Sequence, residues 1–154
     1  MRILLSASVA FILASLSAAE PQRGLNLMPV PSSVQLGVGQ LPVDRSFSIA
    51  IAGFKDVTME RGVQRFVAEL SRQTGMGLKQ KPVDSANPTL LIRAVHGSER
   101  VQKLSEDESY ELLIGQSGAE LTAPTPLGIL HGLETFLQLV ETNRKRICRA
   151  GCDN

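Results

Sequence analysis

The chain has 154 residues, of which 16 are basic and 15 acidic, and its formal net charge is +1. No basic face recurs along the chain, so the charge pattern argues against a nucleic-acid partner. Aromatic residues make up 4% of the chain and tryptophan is absent, which disfavours a free-standing module that binds sugar rings by stacking.

The first nineteen residues have the pattern of an export signal. Arg2 provides a positive start, residues 3–16 form an apolar run, and Ser17, Ala18 and Ala19 supply the small side chains that signal peptidases accept. A single-span anchor is the competing interpretation, but about 14 apolar residues fall short of the roughly 20 that a membrane helix needs. We therefore expect residues 1–19 to be a signal peptide cleaved near Ala19. The mature protein is then secreted or periplasmic, with no membrane contact after cleavage.

The chain beyond the signal has the size of one ordinary domain and is long enough to bury a core. A catalytic (β/α)₈ barrel typically needs about 250 residues, whereas the whole chain has 154. We therefore expect residues 20–141 to form a single domain, and we expect no complete two-domain enzyme in this chain.

Two alternating segments follow the proline-punctuated stretch at residues 27–31. Apolar residues alternate with small or polar ones over residues 33–38, and the alternation returns over residues 47–51. Period-two alternation is typical of half-buried strands. We predict two strands here and expect them to pair as neighbours.

The next segment has helical spacing. Its apolar positions fall on one face, with charged residues elsewhere: Met59, Val63, Phe66, Val67 and Leu70. This spacing predicts an amphipathic helix that covers a core. Asp56 or Thr58 can cap its start, and Gly75 can end it in a left-handed conformation. Because its basic residues are interleaved with acidic ones, we interpret the charged face as solvated.

A polar loop leads from this helix to a third strand at residues 89–95. Both sides of that strand are apolar, so we expect it to be central in the sheet and buried on both faces. An acidic cluster of Glu106, Asp107 and Glu108 then precedes the next strand. Paired carboxylates can act as general acid and base, but in a polar loop they commonly face water, and we interpret this cluster as solvated.

The last part of the domain predicts a hairpin and a second helix. Residues 110–114 and 119–123 alternate on either side of a glycine-bounded turn. Thr125 caps the helix, and Pro126 takes its first position, where a missing amide donor costs nothing. Gly128 and Gly132 predict close approach of another backbone, because helix glycines cost roughly 0.5–1 kcal/mol each. The apolar stripe of the helix consists of Leu130, Leu133, Leu137 and Val140, widened by Ile129, Phe136 and Leu139.

These elements predict the architecture. Two amphipathic helices and one sheet can close a two-layer core when the helices cover one face of the sheet. We therefore predict an α+β two-layer sandwich, with a mixed or mostly antiparallel sheet of about five strands and two amphipathic helices on one face.

Few other residues offer chemistry. His96 and His131 are the two histidines, and we interpret His96 as a surface residue and His131 as a helix-packing or interface residue. Cys148 and Cys152 form a CxxxC pair without a nearby histidine, which is a weak metal site. A disulfide between them closes only a short tail loop, and whether they pair stays open. We assign no catalytic, cofactor-binding or metal residue.

Two strings resemble a known family. The opening "LMPVPSSVQL" and the longer "DESYELLIGQSGAELTAPTPLGILHGLETFLQLV" are similar to the start and to the closing hairpin and helix of one domain, the N-terminal domain of family 20 glycoside hydrolases, the β-N-acetylhexosaminidases. The resemblance covers about residues 27–140. The positions that carry it are Met28, Pro29, Pro31, Val34, Glu108, Tyr110, Leu112, Ala119, Leu121, Ala123, Gly128, Gly132, Leu133, Thr135, Gln138 and Leu139.

The resemblance implies a non-catalytic accessory domain that packs against a catalytic (β/α)₈ barrel. Family members remove terminal N-acetylhexosamine by a retaining mechanism in which the 2-acetamido oxygen is the nucleophile, an exception to the two-carboxylate scheme. An adjacent Asp-Glu pair on the barrel does that work, and Asp107 and Glu108 share only its composition. The resemblance therefore implies a domain that is inactive by itself, uses no cofactor, and meets amino-sugar glycans only through the barrel.

The pattern departs from the family after Val140. Residues 142–154 are basic and show no strand alternation, so we expect an aberrant tail from a truncated or frameshifted product, with an anionic-surface contact as the alternative. The leading hypothesis is a truncated, non-catalytic N-terminal domain of a secreted β-N-acetylhexosaminidase. The alternatives are an independent exported carbohydrate-binding or barrel-docking module and a small hydrolase with its own site.

Overall fold

The computed structural model of the protein describes residues 27–79, 82, 87–99, 101 and 103–140. The predicted signal peptide, the basic tail and both cysteines lie outside these residues. In chain order the elements are β1 (Ile49–Gly53), α1 (Val57–Thr74), β2 (Leu90–Ala94), β3 (Glu111–Ile114), β4 (Ala119–Ala123) and α2 (Pro126–Leu139). Neither of these helices combines the length and the apolarity that crossing a membrane requires.

The predicted α+β fold with a mixed sheet is confirmed. The strands lie in the order β1-β2-β4-β3, and β2 is parallel to both β1 and β4. The crossover through α1 makes β1 and β2 parallel, because a helix returns the chain to the end from which the strand began. The hairpin is antiparallel, since the Gly115 amide donates to the Gly118 carbonyl (2.8 Å) across a tight turn.

β2 is central in the sheet, as predicted, but the prediction that both of its faces are buried is wrong. Leu90 and Ile92 are fully buried, whereas Arg93 is exposed and Val95, just past the strand, is 67% exposed. Both helices pack on one side of the sheet, and on its other side Leu91, Glu120 and Thr122 are only half-buried. Apolar residues on both sides of a strand therefore did not indicate two covering layers.

The strand predicted at residues 33–38 is also wrong, which leaves four strands in the described residues instead of about five. Val34, Leu36 and Val38 are 50%, 55% and 98% exposed, and β1 pairs with β2 instead of with this segment. Alternation stabilises a strand only where one face is buried against other elements. Gly39, with φ of 112°, then turns the chain in a conformation that extended strands do not use.

Both helices begin where local chemistry predicts. Asp56 caps α1, because its carboxylate accepts from the Met59 amide at 2.7 Å, and Gly75 ends the helix with φ of 72°. Thr125 caps α2 by accepting from the Gly128 amide (3.3 Å), with Pro126 in the first turn. The capping alternatives at the start of α1 are thus resolved in favour of Asp56.

The core lies between the sheet and the two helices. Phe136 of α2 packs against Phe66 of α1 and against Phe47, which precedes β1, with ring centroids 5.5 and 6.1 Å apart. The buried face of α2 is centred on Ile129, Leu133 and Phe136, while Leu130, Leu139 and Val140 of the predicted stripe are half-buried. The two-layer sandwich with helices on one face is therefore the observed arrangement.

Candidate functional site

The four residues that lead into β3, residues 107–110, lie along α2; we call them the lead-in segment. At the start of the helix, the Thr125 hydroxyl donates to the Asp107 carbonyl (2.8 Å). Two turns further, Tyr110 and Thr135 join their hydroxyl groups at 2.6 Å. The two ends of the lead-in segment thus contact the start and the third turn of one helix.

Gly128 and Gly132 make this close contact possible. A Cβ atom built on Gly128 would lie 2.3 Å from the Ser109 carbonyl oxygen, and one on Gly132 would lie 2.2 Å from Leu121 Cδ1 and 3.1 Å from the Tyr110 ring. The prediction that another backbone approaches the glycines is confirmed at Gly128. At Gly132 the neighbours are side chains of β4 and the lead-in segment.

These contacts explain what the family-like positions do in this chain. Tyr110 and Thr135 form a hydrogen bond with each other. Gly128 packs against Ser109 and Ala123, and Gly132 packs against Leu121. They are packing positions that hold the hairpin on α2. The resemblance therefore rests on the residues that build the domain, and none of these contacts assembles a reacting centre.

Carboxylates of the acidic cluster form local hydrogen bonds. The Asp107 carboxylate accepts from the Ser109 amide at 2.9 Å, and hydrogen bonds from Ser109 hold the pKa of Asp107 below its usual range. Glu106 accepts from the Glu99 amide (3.3 Å). Across the described ranges, no three histidine, cysteine, aspartate or glutamate side chains come together as they would around a metal ion.

The two histidines lie in different parts of the surface. His96 follows β2, and its Nδ1 is 3.1 Å from the Gly97 carbonyl oxygen. His131 lies on α2 with Nε2 3.3 Å from a Glu108 carboxylate oxygen, and both side chains are about half exposed, at 45% and 59%. His131 is thus at an interface between α2 and the lead-in segment, while His96 is on the surface.

A groove runs between α1 and α2 on the side away from the sheet. The helices approach closely where Gly62 faces Leu130, because a Cβ atom on Gly62 would lie 2.2 Å from Leu130 Cδ2. The floor of the groove is apolar and its rim is polar; its lining includes Gly62, Phe66, Leu127, Leu130, Leu133, Leu137, Arg65, Glu69, Gln73, His131, Glu134 and Gln138. Gly62, in the second turn of α1, is a sequence signal that could have indicated this close approach, but it was not singled out above.

Two glutamines close one end of the groove, and sequence reasoning missed their roles. The Gln138 side chain accepts from the Met28 amide and donates to the Met28 carbonyl, both at 2.8 Å. The Gln73 side chain donates to the Leu137 and Val140 carbonyls at the end of α2 (3.2 and 3.4 Å). Both ends of the described domain are therefore held side by side.

Comparison with known proteins agrees with this geometry. Residues 27–139 match the family profile described as beta-acetyl hexosaminidase like. The chain is 28% identical to beta-hexosaminidase subunit A1 of Dictyostelium discoideum over 79% of its own length and 22% of that protein. It is 27% identical to beta-hexosaminidase 3 of Arabidopsis thaliana, over 88% of this chain and 28% of that one.

A solved structure shares the fold. The crystal structure of the Flavobacterium johnsoniae chitobiase superposes with a TM-score of 0.71 and 35% identity, covering 77% of this chain and 18% of that one. The chain therefore spans under a third of the length of each of these three proteins. With a family match over residues 27–139, this chain belongs to the β-acetylhexosaminidase-like domain family of glycoside hydrolase family 20.

Proposed function

We propose that this chain is the non-catalytic accessory domain of an exported β-N-acetylhexosaminidase and that it acts by docking on a catalytic (β/α)₈ barrel. By itself it hydrolyses no glycoside. Its contribution to carbohydrate metabolism is to stabilise and orient a barrel that cleaves terminal N-acetylhexosamine. Export rests on the N-terminal signal pattern, which lies outside the described residues and stays a prediction.

One observation carries this proposal. Several of the positions that link the chain to the family bind the lead-in segment to α2, as Tyr110 does with Thr135 and as Gly128 does by admitting the Ser109 backbone. A domain whose family-like residues are used to build its own scaffold serves as a structural unit. The relatives named above are several times longer than the matched part, which supports a partner domain that supplies the chemistry.

The groove between α1 and α2 is the surface best suited to that partner. It combines an apolar floor with a polar rim, and α2 ends beside it, so a chain that continues past Val140 leaves from the same corner. Arg65 at the rim of the groove, and Arg61 one turn earlier on α1, form no ion pair with the described carboxylates. An unpaired arginine at the rim favours an acidic group opposite it on the partner, because complementary charge sets the register of docking.

The arrangement of aromatic side chains disfavours an independent sugar-binding module. Phe47, Phe66 and Phe136 are buried in the core, and the Tyr110 hydroxyl is held by Thr135. Phe54, 37% exposed, is the remaining aromatic side chain in the described residues. Stacking on a sugar face needs an open ring, and one partly exposed phenylalanine gives a poor platform.

An assay of the purified chain tests the non-catalytic part of the proposal. We expect no turnover of a chromogenic N-acetylglucosaminide above the buffer blank, at protein concentrations at which a family enzyme consumes the substrate completely. Saturable turnover that persists through a second purification step would contradict the proposal.

A further inference from the structure

We propose that Met28 and Val30 form an apolar anchor by which this domain grips its catalytic barrel, an inference that rests on the docking function proposed above. Their side chains are 77% and 81% exposed. They project from a corner of the domain where the groove ends and where the chain leaves α2.

The anchor differs from an ordinary exposed apolar residue because its backbone is held in place. Single exposed apolar side chains are common on protein surfaces and need no explanation. Here Leu27 is buried, at 7% exposure, and Gln138 binds both the amide and the carbonyl of Met28. Pro29 and Pro31 further restrict the backbone on either side of Val30.

A backbone that is held in place before binding favours affinity. A side chain that is already positioned loses less conformational entropy when a partner covers it. Two hydrogen bonds and two prolines therefore give Met28 and Val30 the properties of a pre-organised contact. Both side chains are largely exposed, so little of either is buried within the described domain.

The position of the anchor identifies its occupant. Gln73 binds the Val140 carbonyl, and Gln138, two residues before Val140, binds Met28. Polypeptide that continues from Val140 therefore starts next to the anchor. If a barrel follows α2, as the proposed function requires, its connection starts beside Met28. We therefore assign to the anchor an apolar depression on that barrel.

A rescue assay with the full chain tests this assignment. The Flavobacterium johnsoniae chitobiase is shortened by the 18% that this chain matches, and the remainder is co-expressed with the 154-residue chain. Rescue is scored as soluble, co-purifying enzyme and as turnover of a chromogenic N-acetylglucosaminide. The variants are Met28→Ser with Val30→Ser and, as the mildest change, Val30→Thr, which keeps the shape of the side chain. Leu104→Ser is the matched control, because Leu104 is a fully exposed apolar residue in the loop between β2 and β3.

The expected result is specific to the anchor. The unmodified chain and Leu104→Ser rescue equally, whereas the double variant binds the remainder on the order of tenfold more weakly, since burial of one apolar side chain is worth at least that factor. Val30→Thr weakens binding less. In the isolated chain, none of the three variants shifts the unfolding midpoint, because all three positions are exposed.

Two results would overturn the inference and are distinguishable from each other. If the double variant rescues as well as the unmodified chain does, docking stands and the anchor is wrong. If the unmodified chain neither rescues nor co-purifies with the remainder, docking and the anchor both fail.

Discussion

The hydroxyl groups of Tyr110 and Thr135 lie 2.6 Å apart, joining the start of the hairpin to the third turn of α2. Thr135 is buried and Tyr110 is half-buried against Gly132. The pair connects residues 25 positions apart in the chain. Thr125 holds one end of the lead-in segment, at Asp107, and Thr135 holds the other end, at Tyr110. The two contacts together fix the orientation of the hairpin on α2.

Loss of that hydrogen bond should destabilise the domain measurably. We expect Tyr110→Phe to lower the free energy of unfolding by about 1 kcal/mol, because the Thr135 hydroxyl is left buried without this partner. Thr135→Val should cost a similar amount, and the double variant should cost clearly less than the two single costs combined. Urea unfolding of all four proteins measures the coupling. Additive costs would show that the two hydroxyls do not stabilise each other.

Gly128→Ala should destabilise the domain by about 2 kcal/mol, although alanine is the better helix former. The new methyl group would lie 2.3 Å from the Ser109 carbonyl oxygen, a backbone atom that cannot move aside cheaply. Gly77→Ala is the control, because a Cβ atom there meets nothing within 4 Å. Thermal unfolding of both variants gives the comparison, and a Gly128→Ala protein as stable as the wild type would contradict the close packing.

The two capping candidates of α1 can be separated by substitution. Asp56→Ala should cost about 1 kcal/mol, because the Met59 amide loses its acceptor. Thr58→Ala should change stability by less than about half of that, since Thr58 is an exposed residue in the first turn. Chemical denaturation of the pair is the test. A larger effect at Thr58 would show that Asp56 is not the residue that caps α1.

Asp107 should contribute to stability in a pH-dependent way. Hydrogen bonds from Ser109, with a smaller effect from His96, hold the pKa of the folded-state carboxyl below the ordinary 3.8. A lowered pKa adds stability above the unfolded-state value, and this stability is lost as the pH falls through the folded-state value. The stability difference between wild type and Asp107→Asn should therefore be largest above about pH 5 and shrink towards about pH 2. A difference that stays constant or grows in acid would contradict this account.

Local signals predicted the helices well. Asp56, Thr125 and Gly75 act within a few residues of the helix ends that they set, and the apolar spacing of α1 is read over a single segment. The caps and the helical spacing are decided by neighbours in the sequence. The glycines of α2 predicted close packing because glycine is costly inside a helix, but their partners, Ser109 and Leu121, lie in other elements.

Features that depend on distant parts of the chain were harder to predict. The segment at residues 33–38 has strand alternation but meets no strand of the sheet, and the sheet order that places β2 between β1 and β4 is invisible in a local pattern. Gln138 binds Met28 across 110 positions. Gln138 lies in the family-like string, but no local feature assigns a partner to it or to Gln73.

The same distinction applies to the candidate site. The charged and acidic residues that attracted attention, Asp107 and Glu108, serve local hydrogen bonds and a surface pair with His131. The groove and its glutamine-bound corner arise only when α1, α2 and the first described residues come together. The proposed docking surface depends on the assembled fold, so no local pattern in the sequence identifies it.

The most direct test of the account is co-expression of the unmodified 154-residue chain with the shortened Flavobacterium johnsoniae chitobiase. We predict turnover of a chromogenic N-acetylglucosaminide when both are present, and little or none from either alone. Turnover from the chain alone, or a remainder whose solubility and activity are unchanged by adding the chain, would contradict the central claim that this domain works by docking on a catalytic barrel.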